Sequence, residues 1–148
     1  MKTLEYIIKT EEEMINLGTK IGSLVYPNMV ITMNGNLGAG KTTITKGIGK
    51  AMGIKRVINS PTFTIMKIYE GNLNYHLDGY RVENSDSDFE LEEYFYMGGV
   101  SVIEWSDNIK DLIPTDSINL NFLIKQDGSR LVTIEGTNDF IEKLKLGE

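Results

Sequence analysis

The sequence predicts an α/β fold for a single unit spanning residues 1–148, with a mainly parallel central sheet, an antiparallel hairpin and helices on both faces. Three observations predict it. Met29 to Met33 and Val100 to Ile103 are short apolar runs without polar alternation, the pattern of strands buried on both faces as a parallel sheet requires. Between and around such runs, apolar side chains recur at steps of three and four, the period of helices that cover a sheet. Finally, the glycine-rich segment Gly35 to Thr42 joins the first of these strands directly to a helical pattern.

Taken in order, Thr3 to Ile8 alternates loosely and predicts a short strand. Thr10 stands three residues before Glu13, the spacing of a capping box, and Met14, Leu17, Ile21 and Leu24 follow as the apolar stripe of a first helix. After the buried strand at Met29 to Met33 and the glycine-rich loop, Ile44, Ile48, Ala51 and Met52 mark a second helix that Gly53 stops. Phe63 to Tyr69 and Leu73 to Asp78 flank Glu70-Gly71-Asn72 as a hairpin. Residues 83 to 93 carry six acidic side chains and no basic one, a solvated face, with a short helix over Asp88 to Phe95. Ile118 to Ile124 and Leu131 to Ile134 read as strands around an Asp127-Gly128 turn, and Asn138 to Leu146 as a last helix with Phe140, Ile141 and Leu144 on one stripe.

Composition narrows the function classes. The absence of cysteine excludes thiolate zinc sites, cysteine nucleophiles and disulfide scaffolds. A net charge of −6 argues against a protein that grips a nucleic-acid backbone directly. No apolar run approaches the ~20 residues that span a bilayer, and Met1 to Thr10 is too polar for a signal peptide, so a soluble cytoplasmic protein without membrane association is expected.

Gly35-Asn36-Leu37-Gly38-Ala39-Gly40-Lys41-Thr42 satisfies G-x-x-x-x-G-K-[ST] at every fixed position, between a buried strand and a helix as the motif requires. Glycines allow the backbone to curl so that its N–H groups face inward on phosphate oxygens, and the start of the helix adds its positive dipole end. Lys41 is placed to reach the β- and γ-phosphates, the Thr42 hydroxyl to ligate Mg²⁺ and Thr43 to bond the α-phosphate. A P-loop NTPase domain is therefore expected. Such a site needs a carboxylate on the metal side. Two strand ends offer one, Glu104 after Val100 to Ile103 and Asp78 at the end of the hairpin, and the residues alone leave both open. His76 reads as hydrogen-bonded scaffolding and Trp105 as core.

Four motifs occur in sequence: the phosphate loop through Thr43, then Ser60-Pro61-Thr62-Phe63, then His76-Leu77-Asp78-Gly79-Tyr80-Arg81, then Ile103-Glu104-Trp105. Together they resemble the bacterial TsaE (YjeE) family, the ATPase of tRNA threonylcarbamoyladenosine biosynthesis. The resemblance implies a compact Mg-dependent ATPase working with the two other proteins of that complex, which transfer threonylcarbamoyl to adenosine 37 of tRNA. The tRNA itself would be met only indirectly, and hydrolysis would be slow without the partners. Carried onto this chain, Lys41 and Thr42 keep their roles and Glu104 takes the metal side. Asp78 orients the attacking or a metal-bound water, and Ser60 and Thr62 belong to a switch loop sensing the γ-phosphate. Thr10, Glu11 and Arg130 would meet the rest of the nucleotide. Asn36 stands where the family usually has Asp, and Ser106-Asp107 replaces a Pro-Glu-like pair; neither change removes a phosphate or metal function. A small-molecule kinase would carry a lid with several arginines, whereas Arg56, Arg81 and Arg130 are widely spaced. A nucleotide-gated binding module with little hydrolysis is the other alternative.

Overall fold

The computed structural model describes residues 1–35, 38–53, 63–69, 72–77, 98–104 and 113–147, with the backbone alone described for 63–69, 72–77 and 104. The elements are β1 (Lys2–Ile8), α1 (Glu11–Gly22), β2 (Val30–Gly35), α2 (Lys41–Ala51), β3 (Phe63–Tyr69), β4 (Asn72–Leu77), β5 (Gly99–Glu104), β6 (Ile118–Ile124), β7 (Arg130–Gly136) and α3 (Asn138–Leu146). All seven strands join one sheet in the order β1-β7-β6-β2-β5-β3-β4. The central strands β6, β2 and β5 run parallel, as expected for the middle of the sheet. Antiparallel pairing frames them on both sides: β3 and β4 on one flank, β7 and β1 on the other. The second flank follows from chain length, because the residues between Ile124 and Arg130 close a hairpin but cannot make a parallel crossover.

Strand alternation decides which face becomes the core. Ile31 and Met33 of β2 lie in register with Val102 of β5 and with Ile118 and Leu120 of β6, and the same rows continue through Ile134 of β7 to Leu4 of β1. These side chains meet Met14, Leu17 and Ile21 of α1, Ile44 and Ile48 of α2, and Phe140, Ile141 and Leu144 of α3 in one apolar cluster. All three described helices therefore cover the same face. On the other face Val30, Thr32, Ser101 and Ile103 are buried, while Thr3, Glu5, Asn121 and Glu135 are exposed. The acidic segment 83–93 and the helix expected at 88–95 lie outside the described residues.

The helices α1 and α2 run side by side in the same direction, in very close contact. A Cβ on Gly18 would sit 2.3 Å from the carbonyl oxygen of Ile44, and one on Gly47 would sit 2.2 Å from that of Ile15. Glycines at the crossing let the two backbones touch. One turn further on, a Cβ on Gly22 would lie 2.6 Å from the Ile48 carbonyl oxygen, so the contact continues along both helices. As a result both helices begin at the same edge of the sheet, the edge where β2 ends.

Candidate functional site

The start of α1 is closed by its own side chains. Thr10 has an extended backbone (φ −132°, ψ 159°), and its Oγ1 accepts from the Glu13 N–H at 3.1 Å. Glu13 reaches one residue further back than a reciprocal capping box does, its carboxylate accepting from the Lys9 N–H at 3.1 Å. Glu11, Glu12 and Glu13 occupy the first turn, where the helix dipole favours acids.

The start of α2 is built differently. Gly40 is the N-cap with φ +112°, a conformation other residues rarely adopt, and among the described residues no side chain caps the helix. The first turn contains no acid but holds Lys41, which is only 7% exposed. Its Nζ donates to the Gly35 carbonyl at 2.8 Å, drawing the lysine back over the end of β2. Thr45, fully buried, donates to the Lys41 carbonyl at 2.7 Å and fixes this turn to the helix behind it. Thr42 is half-buried in the same turn.

Between the two helix starts lies a cleft of about 320 Å³, within the range of small-molecule sites. One wall is the corner between β1 and α1, comprising Ile8, Lys9, Thr10, Glu11 and Met14; the other is Gly38, Ala39, Gly40 and Thr43; Arg130 closes the mouth. The Arg130 Nη2 donates to the Gly38 carbonyl at 3.3 Å, linking the start of β7 to the loop. Thr10, Glu11, Gly38, Ala39, Gly40, Thr43 and Arg130, far apart in sequence, thus line one cleft. Ile8, Lys9 and Met14 complete the cleft although the sequence marked Met14 only as core and Ile8 only as strand. Nothing in a linear pattern says that the apolar floor of a core also floors a cleft.

For the carboxylates, topology supplies the relation. Glu104 ends β5 and pairs in register with Met33, two residues before Gly35 on the adjacent strand. β4 runs in the same direction as β2 and β5, being antiparallel to β3, which is itself antiparallel to β5. Its last residue, Leu77, therefore faces the same edge, but three strand spacings from β2, roughly 14 Å at the usual interval. Asn36, Leu37, Ser60, Thr62 and Asp78 themselves lie outside the described residues.

The residues at this edge are chemically hard-oxygen donors: Thr42 in the first turn of α2, and Glu104 by its place at the end of β5. Among the described residues no cluster of three or more His, Cys, Asp or Glu forms a metal cage. That donor set fits Mg²⁺, which is held by one or two protein oxygens together with substrate phosphates and water. It does not fit a tight all-protein site for zinc. Also among the described residues, no helix is long and apolar enough to cross a membrane.

The family model described as threonylcarbamoyl adenosine biosynthesis protein TsaE matches residues 8–132, a span that begins at the first cleft residue and ends beyond Arg130. The tRNA threonylcarbamoyladenosine biosynthesis protein TsaE of Bacillus subtilis is 36% identical over 146 residues, covering 97% of this chain and 92% of that one. Its counterpart in Aquifex aeolicus is 38% identical over 135 residues, covering 88% and 94%. Among solved structures, the crystal structure of Bacillus subtilis YdiB superposes with a TM-score of 0.78 at 28% identity, covering 99% of this chain and 96% of that one.

Proposed function

Since this chain belongs to the TsaE family, we propose that it is a Mg-dependent ATP hydrolase supporting threonylcarbamoyl transfer to adenosine 37 of tRNA. It would work inside a complex with the two other proteins of that reaction, meeting tRNA only through them. The observation that carries the reading is the start of α2: a glycine-capped helix with a buried lysine in its first turn, fed by a glycine loop from a central parallel strand. Such an end offers several N–H donors and a positive charge to a polyphosphate.

In this reading the triphosphate lies along Gly38 to Thr43, with Lys41 swinging from the Gly35 carbonyl to the β- and γ-phosphates. The base and ribose fill the cleft between the β1–α1 corner and Arg130. Thr42 and Glu104 would hold Mg²⁺, which when bound neutralises charge developing on the phosphates. Glu104 is favoured over Asp78 on the metal side because its strand directly adjoins β2, whereas β4 ends three strands away. Asp78 would orient the attacking water, and Ser60 and Thr62 would sense the γ-phosphate. Positioning and charge stabilisation carry most of phosphoryl transfer, so Arg81 or a partner's arginine would supply what the loop lacks.

The test is phosphate release by the purified chain, alone and mixed with the two partner proteins. Slow release alone and marked stimulation by the mixture are expected. Tight ATP binding without stimulated release would point to a nucleotide-gated binding module, and failure to bind Mg-ATP would overturn the reading.

A further inference from the structure

The Asp127-Gly128 turn lies well away from the phosphate loop in sequence, but it is joined to the cleft by a continuous chain of hydrogen bonds. Asp127 Oδ1 accepts from the Ser129 N–H at 3.0 Å and from the Ser129 hydroxyl at 2.6 Å. That N–H belongs to the peptide unit between Gly128 and Ser129. The carbonyl of the same unit points the opposite way, as a planar trans peptide demands, and accepts from Arg130 Nη1. The other guanidinium nitrogen, Nη2, donates across the mouth of the cleft to the Gly38 carbonyl. Asp127 thus grips one side of a peptide plane and Arg130 the other.

A hairpin turn does not need this. The turn is already closed by backbone bonds, Lys125 N–H to the Ser129 carbonyl at 2.8 Å and Gly128 N–H to the Lys125 carbonyl at 3.0 Å. What Asp127 adds is the orientation of the Gly128 carbonyl, one of the two carbonyls to which Arg130 donates. Ser129, 5% exposed, is held beneath it, and both of its bonds keep the Asp127 carboxyl below the usual carboxylate range.

We infer that Asp127 is a positioning residue for nucleotide binding: through the Gly128–Ser129 peptide it holds the Arg130 guanidinium over the cleft, where it meets a ribonucleoside triphosphate. The inference rests on the nucleotide reading above. Arg130 is a long side chain with many rotamers, and a guanidinium fixed beforehand loses less entropy when a ligand arrives.

The experiment is calorimetric titration of the full chain with Mg²⁺ and the β,γ-imido analogue of ATP. Asp127→Ala should weaken binding about fivefold to tenfold, the scale of one lost hydrogen-bonded constraint. Asp127→Asn, whose amide oxygen still accepts, should stay within about twofold of the unaltered chain. Arg130→Ala should weaken binding at least as much as Asp127→Ala. Adding Asp127→Ala to Arg130→Ala should then change affinity by less than about twofold, because the two act in series. Unchanged affinity in Asp127→Ala, no rescue by Asn, or full additivity with Arg130→Ala would each overturn the inference. Should Asp127→Ala not fold, the Asn variant and the Arg130 pair with Ser129→Ala in its place decide the same question. If the unaltered chain itself gives no binding heat, the nucleotide reading fails instead.

Discussion

Two helices begin at the same edge of this sheet and obey opposite rules. α1 has a threonine cap, a glutamate that accepts from the Lys9 N–H just before it and an acidic first turn, so its first N–H groups and its dipole are answered from within the chain. α2 begins at a glycine with positive φ, has no side-chain cap among the described residues, no acid and a buried lysine instead. By local energetics the second start is worse. Glycine is itself a tolerated cap, so the missing side-chain bond costs only a few tenths of a kcal/mol, and a cation beside a positive helix end costs about as much again. A fold tolerates such a conflict where something external resolves it, and the polyphosphate proposed above would do so at α2.

The contrast can be broken or sharpened by substitution. The largest effect is expected at α2: Lys41→Ala should reduce partner-stimulated phosphate release at least ~100-fold, the scale of losing a principal electrostatic stabiliser, as read by a coupled phosphate assay. Next comes the contact that aligns the two starts. Gly47→Ala drives a methyl into the Ile15 carbonyl and should cost about 2 kcal/mol or more in urea unfolding, through overpacking that the helices cannot easily relieve. At α1 the change should be smaller. Thr10→Ala removes the bond to the Glu13 N–H and should lower stability by about 1 kcal/mol. Weaker nucleotide binding at that cleft wall is also expected, measurable in the same titration as above.

The smallest effect should come from the exposed pair of Glu142 on α3 and Lys2 on β1. The Lys2 ammonium, by hydrogen bond and by charge, holds the Glu142 carboxyl below its ordinary range. A depressed carboxylate contributes stability above its unfolded pKa and loses it as pH falls through the folded one. Glu142→Gln should therefore shift the melting temperature by no more than about 2 °C at neutral pH, and the shift should vanish under strongly acidic conditions. A shift that persisted there would mean the side chain matters for packing and not for charge.

Much of the fold was legible because its signals are local. The cap at Thr10, the buried runs at β2 and β5, and the Asp127-Gly128 turn each announce an element through a few adjacent residues. The loop wall of the cleft was legible for the same reason, since one short stretch within residues 38–43 makes it. The other wall was not legible from the residues themselves. Thr10, Glu11 and Arg130 entered only through family likeness, and Ile8, Lys9 and Met14 did not enter at all. They meet because β1 adds itself to the far side of β7, a pairing between the two ends of the chain that no short pattern encodes. Gly18 and Gly47 were silent too, since a glycine that admits a neighbouring backbone looks in sequence like any other helical glycine. The extent of antiparallel pairing likewise depends on where β1 docks.

That pairing of chain ends has a consequence for how a bound nucleotide is felt. The cleft gathers residues 8–14, 38–43 and 130, so an occupant fastens the first strand, the first two helices and the final hairpin to one another. β1 is the outermost strand on its flank, held to the sheet on one side only, so its end is free to fray. Occupancy should slow the exchange of its amide hydrogens along with those of the loop, so that the protein's beginning is secured by cargo held in its middle.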